Sequence, residues 1–177
     1  PFQLAQIASH LRQPSCRLLS IVGAGGMGKT RLALQAAADH SADFADGVCF
    51  VPLENVTQGE LLPLAIANEL HCPIQNSADP LGNVINYLAQ RSVLLVLDNF
   101  DHLVDFSDQI ARLLSQTNDL KVLVTSRIWL NLPQEWGVSV DGMSAPPEND
   151  PNPARFESVQ LFAACAKRIQ PSFHLDD

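Results

Sequence analysis

Gly23-Ala24-Gly25-Gly26-Met27-Gly28-Lys29-Thr30 decides the reading of this 177-residue chain. The octet satisfies G-x-x-x-x-G-K-[ST] at every fixed position. It follows the apolar run Leu18–Val22 and opens the Ala-rich helical stretch Thr30–His40. Glycines let the backbone turn so that successive N–H groups point inward as an anion nest. A helix N-terminus placed behind that nest adds its partial positive charge. Gly23, Ala24, Gly25, Gly26, Met27, Gly28, Lys29, Thr30 and the adjoining Arg31 are therefore the expected phosphate cradle. Lys29 should reach the β- and γ-phosphates of a nucleotide, and the Thr30 hydroxyl should ligate Mg²⁺.

Working outward from the octet, four short Val/Ile/Leu-rich runs stand out: Leu18–Val22, Val48–Leu53, Val93–Leu97 and Val122–Thr125. Each is nearly continuous rather than alternating, as in strands buried on both faces of a parallel sheet. A weaker fifth strand is Val138–Val140. Helical patterns lie between them at Thr30–His40, Glu60–Leu70, Leu81–Gln90 and Leu103–Ser115. In the last of these, Leu103, Phe106, Ile110, Leu113 and Leu114 share one face. Strand and helix alternate throughout, which predicts a three-layer α/β fold. Ser144–Pro153 reads SAPPENDPNP, too rich in breakers for helix or central strand. The expected division is a nucleotide-binding core over 1–143, a linker over 144–156 and a helix opening within 157–177. That last helix has nothing within the chain to pack against, so a longer parent protein is expected.

A phosphate cradle needs a carboxylate at the end of a neighbouring strand to hold the metal. Ser92–Asp98 supplies it, a buried strand ending in Asp98, which with Thr30 is the expected Mg²⁺ pair. Asn99 stands where a water-activating glutamate would serve; it can orient a water and cannot take its proton. Asp101 is the nearest carboxylate, and two roles stand open for it, catalytic base or cap of the helix beginning near Leu103. His102 reads as a loop histidine. Lys121–Arg127 is a further strand ending in polar groups, which places Ser126 and Arg127 at the crevice where open α/β sheets bind ligands. From there Arg127 can reach a γ-phosphate in cis.

Composition bounds the rest. Apolar residues make up 46% and charged residues 17%, the balance of a globular chain rather than a disordered one. A net charge of −8 argues against binding of nucleic acid by this chain itself. The four cysteines (Cys16, Cys49, Cys72, Cys165) are far apart and read as buried thiols, and no histidine stands at metal-ligand spacing. No apolar stretch approaches the ~20 residues of a membrane span. A reducing cytoplasm is the expected compartment.

Taken together, GAGGMGKTRLAL, LLVLDNFDHL and KVLVTSR, in this order and spacing, resemble the STAND class of P-loop NTPases. More closely, the chain is similar to the NB-ARC-like ATPase modules of bacterial signalling proteins and LuxR-type transcription regulators, and Glu157–Phe162 resembles the first helix after their core. The resemblance implies a strand order of 2-3-4-1-5, an ATP/ADP switch and a larger protein with effector and sensor domains, with nucleotide-dependent oligomerisation of that parent among its implications. Two elements of that pattern, a Gly-Arg segment that encloses adenine and a Gly-x-Pro lid motif, would lie upstream of Pro1 and beyond Asp177. Adenine contacts are then expected outside this stretch.

The expected function is a regulatory switch that binds ATP or ADP and hydrolyses ATP slowly. The alternative is a motor or loader ATPase of the AAA+ kind, which usually carries a glutamate after the metal acid; Asp98-Asn99 counts against it. A small-molecule phosphotransferase should show a basic lid cluster, and a GTPase an N-K-x-D segment; the chain has neither.

Overall fold

The computed structural model describes residues 2–76, 78–142 and 144–174. The chain divides into two compact units, Pro1–Val140 and Asp141–Asp177. The expected core boundary, Met143, and the last three positions of the expected terminal helix lie outside the described residues.

In the first unit the elements run α1 (Phe2–Leu11), β1 (Leu18–Val22), α2 (Lys29–Asp39), β2 (Val48–Pro52), α3 (Leu62–Glu69), α4 (Pro80–Leu88), β3 (Val93–Asp98), a 3₁₀ segment (Phe100–Phe106), α5 (Ser107–Ser115), β4 (Leu120–Ser126) and β5 (Glu135–Ser139). The five strands form one parallel sheet in the order β2-β3-β4-β1-β5, as the resemblance implied. Residue pattern accounts for this order. β1, β3 and β4 are apolar and almost wholly buried, so they occupy the centre. β2 and β5 are only half-buried along most of their length and take the edges. Burial of Val48–Leu53 on both faces is therefore corrected: Val48 and Phe50 are partly exposed, and Pro52, which has no N–H to donate, ends an edge strand where that is harmless.

Alternation along the central strands divides the core in two. Leu95, Leu97, Val122 and Val124 face a layer built from Leu62, Ile66, Val84, Leu88, Ile110 and Leu113 of α3, α4 and α5. Leu94, Val96, Leu123, Leu19 and Ile21 face the opposite layer, with Ile7 and Leu11 of α1 and Ala33, Ala36 and Ala37 of α2. The small side chains of α2 let it lie close on the sheet directly behind the glycine loop. α1 was missed in the sequence, although Leu4, Ile7 and Leu11 carry helical spacing.

Leu103–Ser115 is not one helix. Phe100 to Phe106 winds as 3₁₀, and only Ser107–Ser115 is α-helical. Phe100, Leu103 and Phe106 recur every third residue, the period at which 3₁₀ side chains stack. Tertiary anchors hold the tighter winding: His102 Nε2 donates to the Val56 carbonyl at 2.7 Å, and the Phe106 ring lies where Gly59 would carry a side chain.

The second unit holds a short 3₁₀ turn (Pro153–Arg155), fastened by Arg155 to Asp150 at 2.8 Å, and α6 (Glu157–Ile169). Phe162 meets Phe173 edge-on at 5.8 Å between ring centroids. Cys16, Cys49 and Cys72 are buried as expected, and burial pushes the Cys49 thiol up to about 11. Cys165 is exposed, against expectation, because its helix leaves that face open. No helix among the described residues is long and apolar enough to cross a membrane.

Candidate nucleotide-phosphate site

The octet leaves β1 at its C-terminal end and turns back into α2. Gly23 donates its N–H to the Ser126 carbonyl at 3.3 Å, and a Cβ there would come within 2.4 Å of the Val140 carbonyl oxygen, so only glycine fits between the strand ends. Gly28 caps α2 at φ 81°, a left-handed conformation that favours glycine, and no side chain satisfies the first-turn N–H groups of the helix. Those donors stay open to an anion.

Lys29 Nζ donates to the carbonyl oxygens of Gly23 and Ala24 at 2.8 and 2.9 Å, which folds the ammonium over the loop. Thr30 Oγ1 donates to Asp98 Oδ1 at 2.8 Å, although 68 positions separate them in sequence. The loop and the start of α2 line a cleft of about 650 Å³, which also takes in Arg31, Leu34, Gln35 and Ala38 from one face of α2, with Asn99, Thr125 and Arg127 across it. Its lining carries three cations, Lys29, Arg31 and Arg127, with the carboxylates of Asp98 and Asp101 bonded just behind it to Thr30 and Arg127. On a chain of net charge −8 this is a local reversal of sign, suited to a polyanion.

Beyond the last main-chain pair of β3 and β4, Leu97 with Val124, side chains continue the pairing. Thr125 Oγ1 donates to Asp98 Oδ1 and accepts the Asn99 N–H at 2.9 Å. Asp98 Oδ1 thus receives two hydroxyls, from Thr30 and from Thr125, which fix the carboxylate. Thr125 was not singled out in the sequence; its signal is a buried hydroxyl residue at the end of an otherwise apolar strand, one position before Ser126. Asn99 sits at φ 65°, ψ 52°, a conformation asparagine tolerates better than most side chains. Ser126 is wholly buried; its hydroxyl accepts the Ile128 N–H at 3.2 Å, so it shapes the turn after β4 and does not line the cleft.

Asp101 is not a helix cap, because the 3₁₀ segment and α5 have no side-chain cap. Its carboxylate instead accepts the Arg127 main-chain N–H through Oδ1 and meets Arg127 Nε at 3.1 Å through Oδ2. Ala24 and Met27 contribute backbone to the loop, and Met27 packs partly against the α1–α2 side of the core.

Oxygen donors suit Mg²⁺, which takes one or two protein ligands and completes its shell with water and substrate phosphates. Thr30 and Asp98 supply that much. No cluster of three or more His, Cys, Asp or Glu able to hold a metal alone occurs among the described residues, so a cation here would share its ligands with a phosphate.

Comparison with known proteins bears on the fold and the family. A Mycobacterium tuberculosis protein named "Putative HTH-type transcriptional regulator" is 34% identical over 158 residues, 89% of this chain and 17% of its own length. An uncharacterized protein of the same organism is 31% identical over 163 residues, 90% of this chain and 39% of its own. The chain thus spans well under half of these relatives. Among solved structures, Cdc6p from Pyrobaculum aerophilum aligns with TM-score 0.58 at 14% identity, covering 78% of this chain and 44% of its own. A signal transduction ATPase with numerous domains (STAND) carrying a tetratricopeptide repeat sensor, from Pyrococcus horikoshii, aligns with TM-score 0.50 at 18% identity, covering 98% of this chain and 25% of its own. At such identities these two likenesses speak for the fold, that of P-loop NTPases. The NB-ARC domain family matches residues 2–129, nearly the whole first unit. This chain belongs to the NB-ARC domain family, whose P-loop implies nucleotide binding.

Proposed function

We propose that this chain binds ATP and ADP with Mg²⁺ and serves as a slowly hydrolysing switch within a larger transcription-regulatory protein. The observation that carries the reading is the 2.8 Å contact between Thr30 Oγ1 and Asp98 Oδ1 at the mouth of the glycine loop, beside Lys29. The loop's N–H groups and Lys29 bind the phosphates, Thr30 and Asp98 hold the cation, and Arg127 approaches the terminal phosphate. The bound Mg²⁺ would offset charge on the phosphate oxygens. Regulation of transcription is carried over from the mycobacterial relative's name, and cytoplasmic residence, effector and sensor partners and nucleotide-dependent oligomerisation of the parent belong to the same proposal.

Slow turnover follows from position 99. A positioned base contributes typically ~10²–10⁴-fold. Asn99 cannot act as one, and Asp101 is engaged with Arg127. Turnover well below the ~10 s⁻¹ typical of enzymes is expected, with nucleotide remaining bound between cycles. Steady-state release of phosphate by the unaltered chain tests the rate, and Asp98→Asn should abolish both hydrolysis and the Mg²⁺-dependent part of ATP affinity. Rapid multiple turnover without any partner would favour the motor class instead. Normal hydrolysis by Asp98→Asn would show that the metal acid has been misplaced.

A further inference from the structure

The geometry points to Asp101 as a positioning residue that holds Arg127 over the glycine loop, so that the chain's preference for ATP over ADP depends on Asp101. The inference rests on the nucleotide reading of the cleft and goes beyond it by giving Asp101 a role other than base or cap.

One carboxylate grips Arg127 at two points, its main-chain N–H and its side-chain Nε, so both the start and the head of the side chain are set. Asp101 is 21% exposed and Arg127 63%, so the clamp lies on the protein side and the guanidinium toward solvent. Engaging Nε leaves the two terminal nitrogens of the fork available. Among the described residues neither has a hydrogen-bond partner, and one lies 3.6 Å from the position a Cβ on Gly25 would occupy. They therefore stand over the loop that cradles phosphate.

The turn carrying Arg127 is itself fastened. Glu135 accepts the N–H groups of Leu130 and Asn131 at 3.1 and 2.9 Å, and Trp129 fills the space over Gly137. Arg127 thus has a fixed base, and Asp101 removes most of the remaining freedom of its stem. A preset fork loses less entropy when it meets a phosphate. ATP and ADP differ by the terminal phosphate, so the benefit falls on ATP.

Affinities of this chain for Mg²⁺ with a β,γ-imido ATP analogue and for Mg²⁺ with ADP test the clamp, with melting temperatures recorded in parallel. Asp101→Asn should lower the ratio of ATP-analogue to ADP affinity by about five- to tenfold, the range of one charge-assisted contact, and leave ADP affinity unchanged. Arg127→Lys keeps the charge but lacks the Nε–H that Asp101 engages, and should lower the ratio similarly even if Asp101→Asn folds poorly. Combining Asp101→Asn with Arg127→Ala should lower the ratio no further than Arg127→Ala alone, whereas independent contributions from the two residues would add. A parental ratio in folded Asp101→Asn, a parental ratio in Arg127→Lys, or equal loss of both nucleotides overturns the clamp. Lys29→Ala separates the two levels. If the unaltered chain binds both nucleotides and Lys29→Ala binds both far more weakly, the cleft stands and the Asp101 variants decide. If the unaltered chain binds neither, cleft and clamp fail together.

Discussion

At the end of the sheet where β1 runs into the glycine loop, Lys29, Arg31 and Arg127 line an open cleft of about 650 Å³. At the opposite end, Arg17 and Lys121 stand among a comparable set of charges in a cleft of about 520 Å³, together with Asp43 and Asp119. Arg17 donates to the carbonyls of Leu120 and Leu114 and to Thr117 Oγ1 at 3.2, 2.8 and 3.1 Å. Lys121 donates to the carbonyls of Leu11 and Gln13 at 2.7 and 2.6 Å. The Leu11 and Leu114 carbonyls belong to the last turns of α1 and α5, where cations complement the helix dipole, whereas Leu120 opens β4 and Gln13 follows α1. Burial lowers the proton affinity of both groups. A hydrogen-bond count alone does not separate the two ends, since Lys29 also bonds two carbonyls. The difference lies in what those carbonyls belong to: at one end the phosphate loop itself, at the other the joints between separate elements. Arg17 and Lys121 at the second end hold the fold, and under the proposed function Lys29 and Arg127 at the first meet the ligand.

Removing a cation from each end should break the symmetry sharply. Lys29→Ala should weaken ATP and ADP binding about 100-fold, roughly 3 kcal/mol, with the melting temperature of the nucleotide-free chain unchanged. Calorimetric titration measures it, and undiminished affinity would remove Lys29 from the cradle. Arg17→Ala should do the reverse. It strips hydrogen bonds from Leu114 and Leu120 and should cost about 2–3 kcal/mol in urea unfolding, with nucleotide affinity of the folded chain intact. A loss of affinity without loss of stability would mean that the lower cleft communicates with the upper one.

Thr125→Val sharpens the comparison on the smallest scale. Valine keeps the strand's shape but leaves the Asn99 N–H without its acceptor and Asp98 without one of its two hydroxyls. The expected cost is about 1 kcal/mol of stability, with a modest fall in Mg²⁺ dependence of ATP binding. An effect on stability alone would reduce Thr125 to a structural bridge.

What could be read from the sequence follows the same division. The octet, the four apolar runs and Asp98 were legible because each depends on local periodicity or on a fixed spacing. β1 matched the expected run residue for residue, whereas β4 extended beyond Val122–Thr125 to Leu120 and Ser126. What escaped depends on contacts between distant segments. The link from Asp101 to Arg127 spans β3 to β4, so a carboxylate read as a cap or base turned out to bind a neighbouring strand end. The break at Phe106 is set by Gly59 and Val56, more than forty positions away. Thr125 looked like one more β-branched strand residue. Ser126, expected at the crevice, is turned inward because its hydroxyl closes the following bend.

Thermal unfolding of three proteins with and without Mg²⁺-ATP tests most directly whether one end of the sheet binds Mg²⁺-nucleotide while the other holds the fold. A ligand at about 100 times its dissociation constant contributes ~2.7 kcal/mol, a rise of roughly 5–10 °C for a domain of this size. The unaltered chain and Arg17→Ala should both show that rise, the second from a lower starting temperature, and Lys29→Ala, binding about 100-fold more weakly, should rise by no more than about 1–2 °C. An equal rise in Lys29→Ala, or its loss in Arg17→Ala alone, would contradict the account.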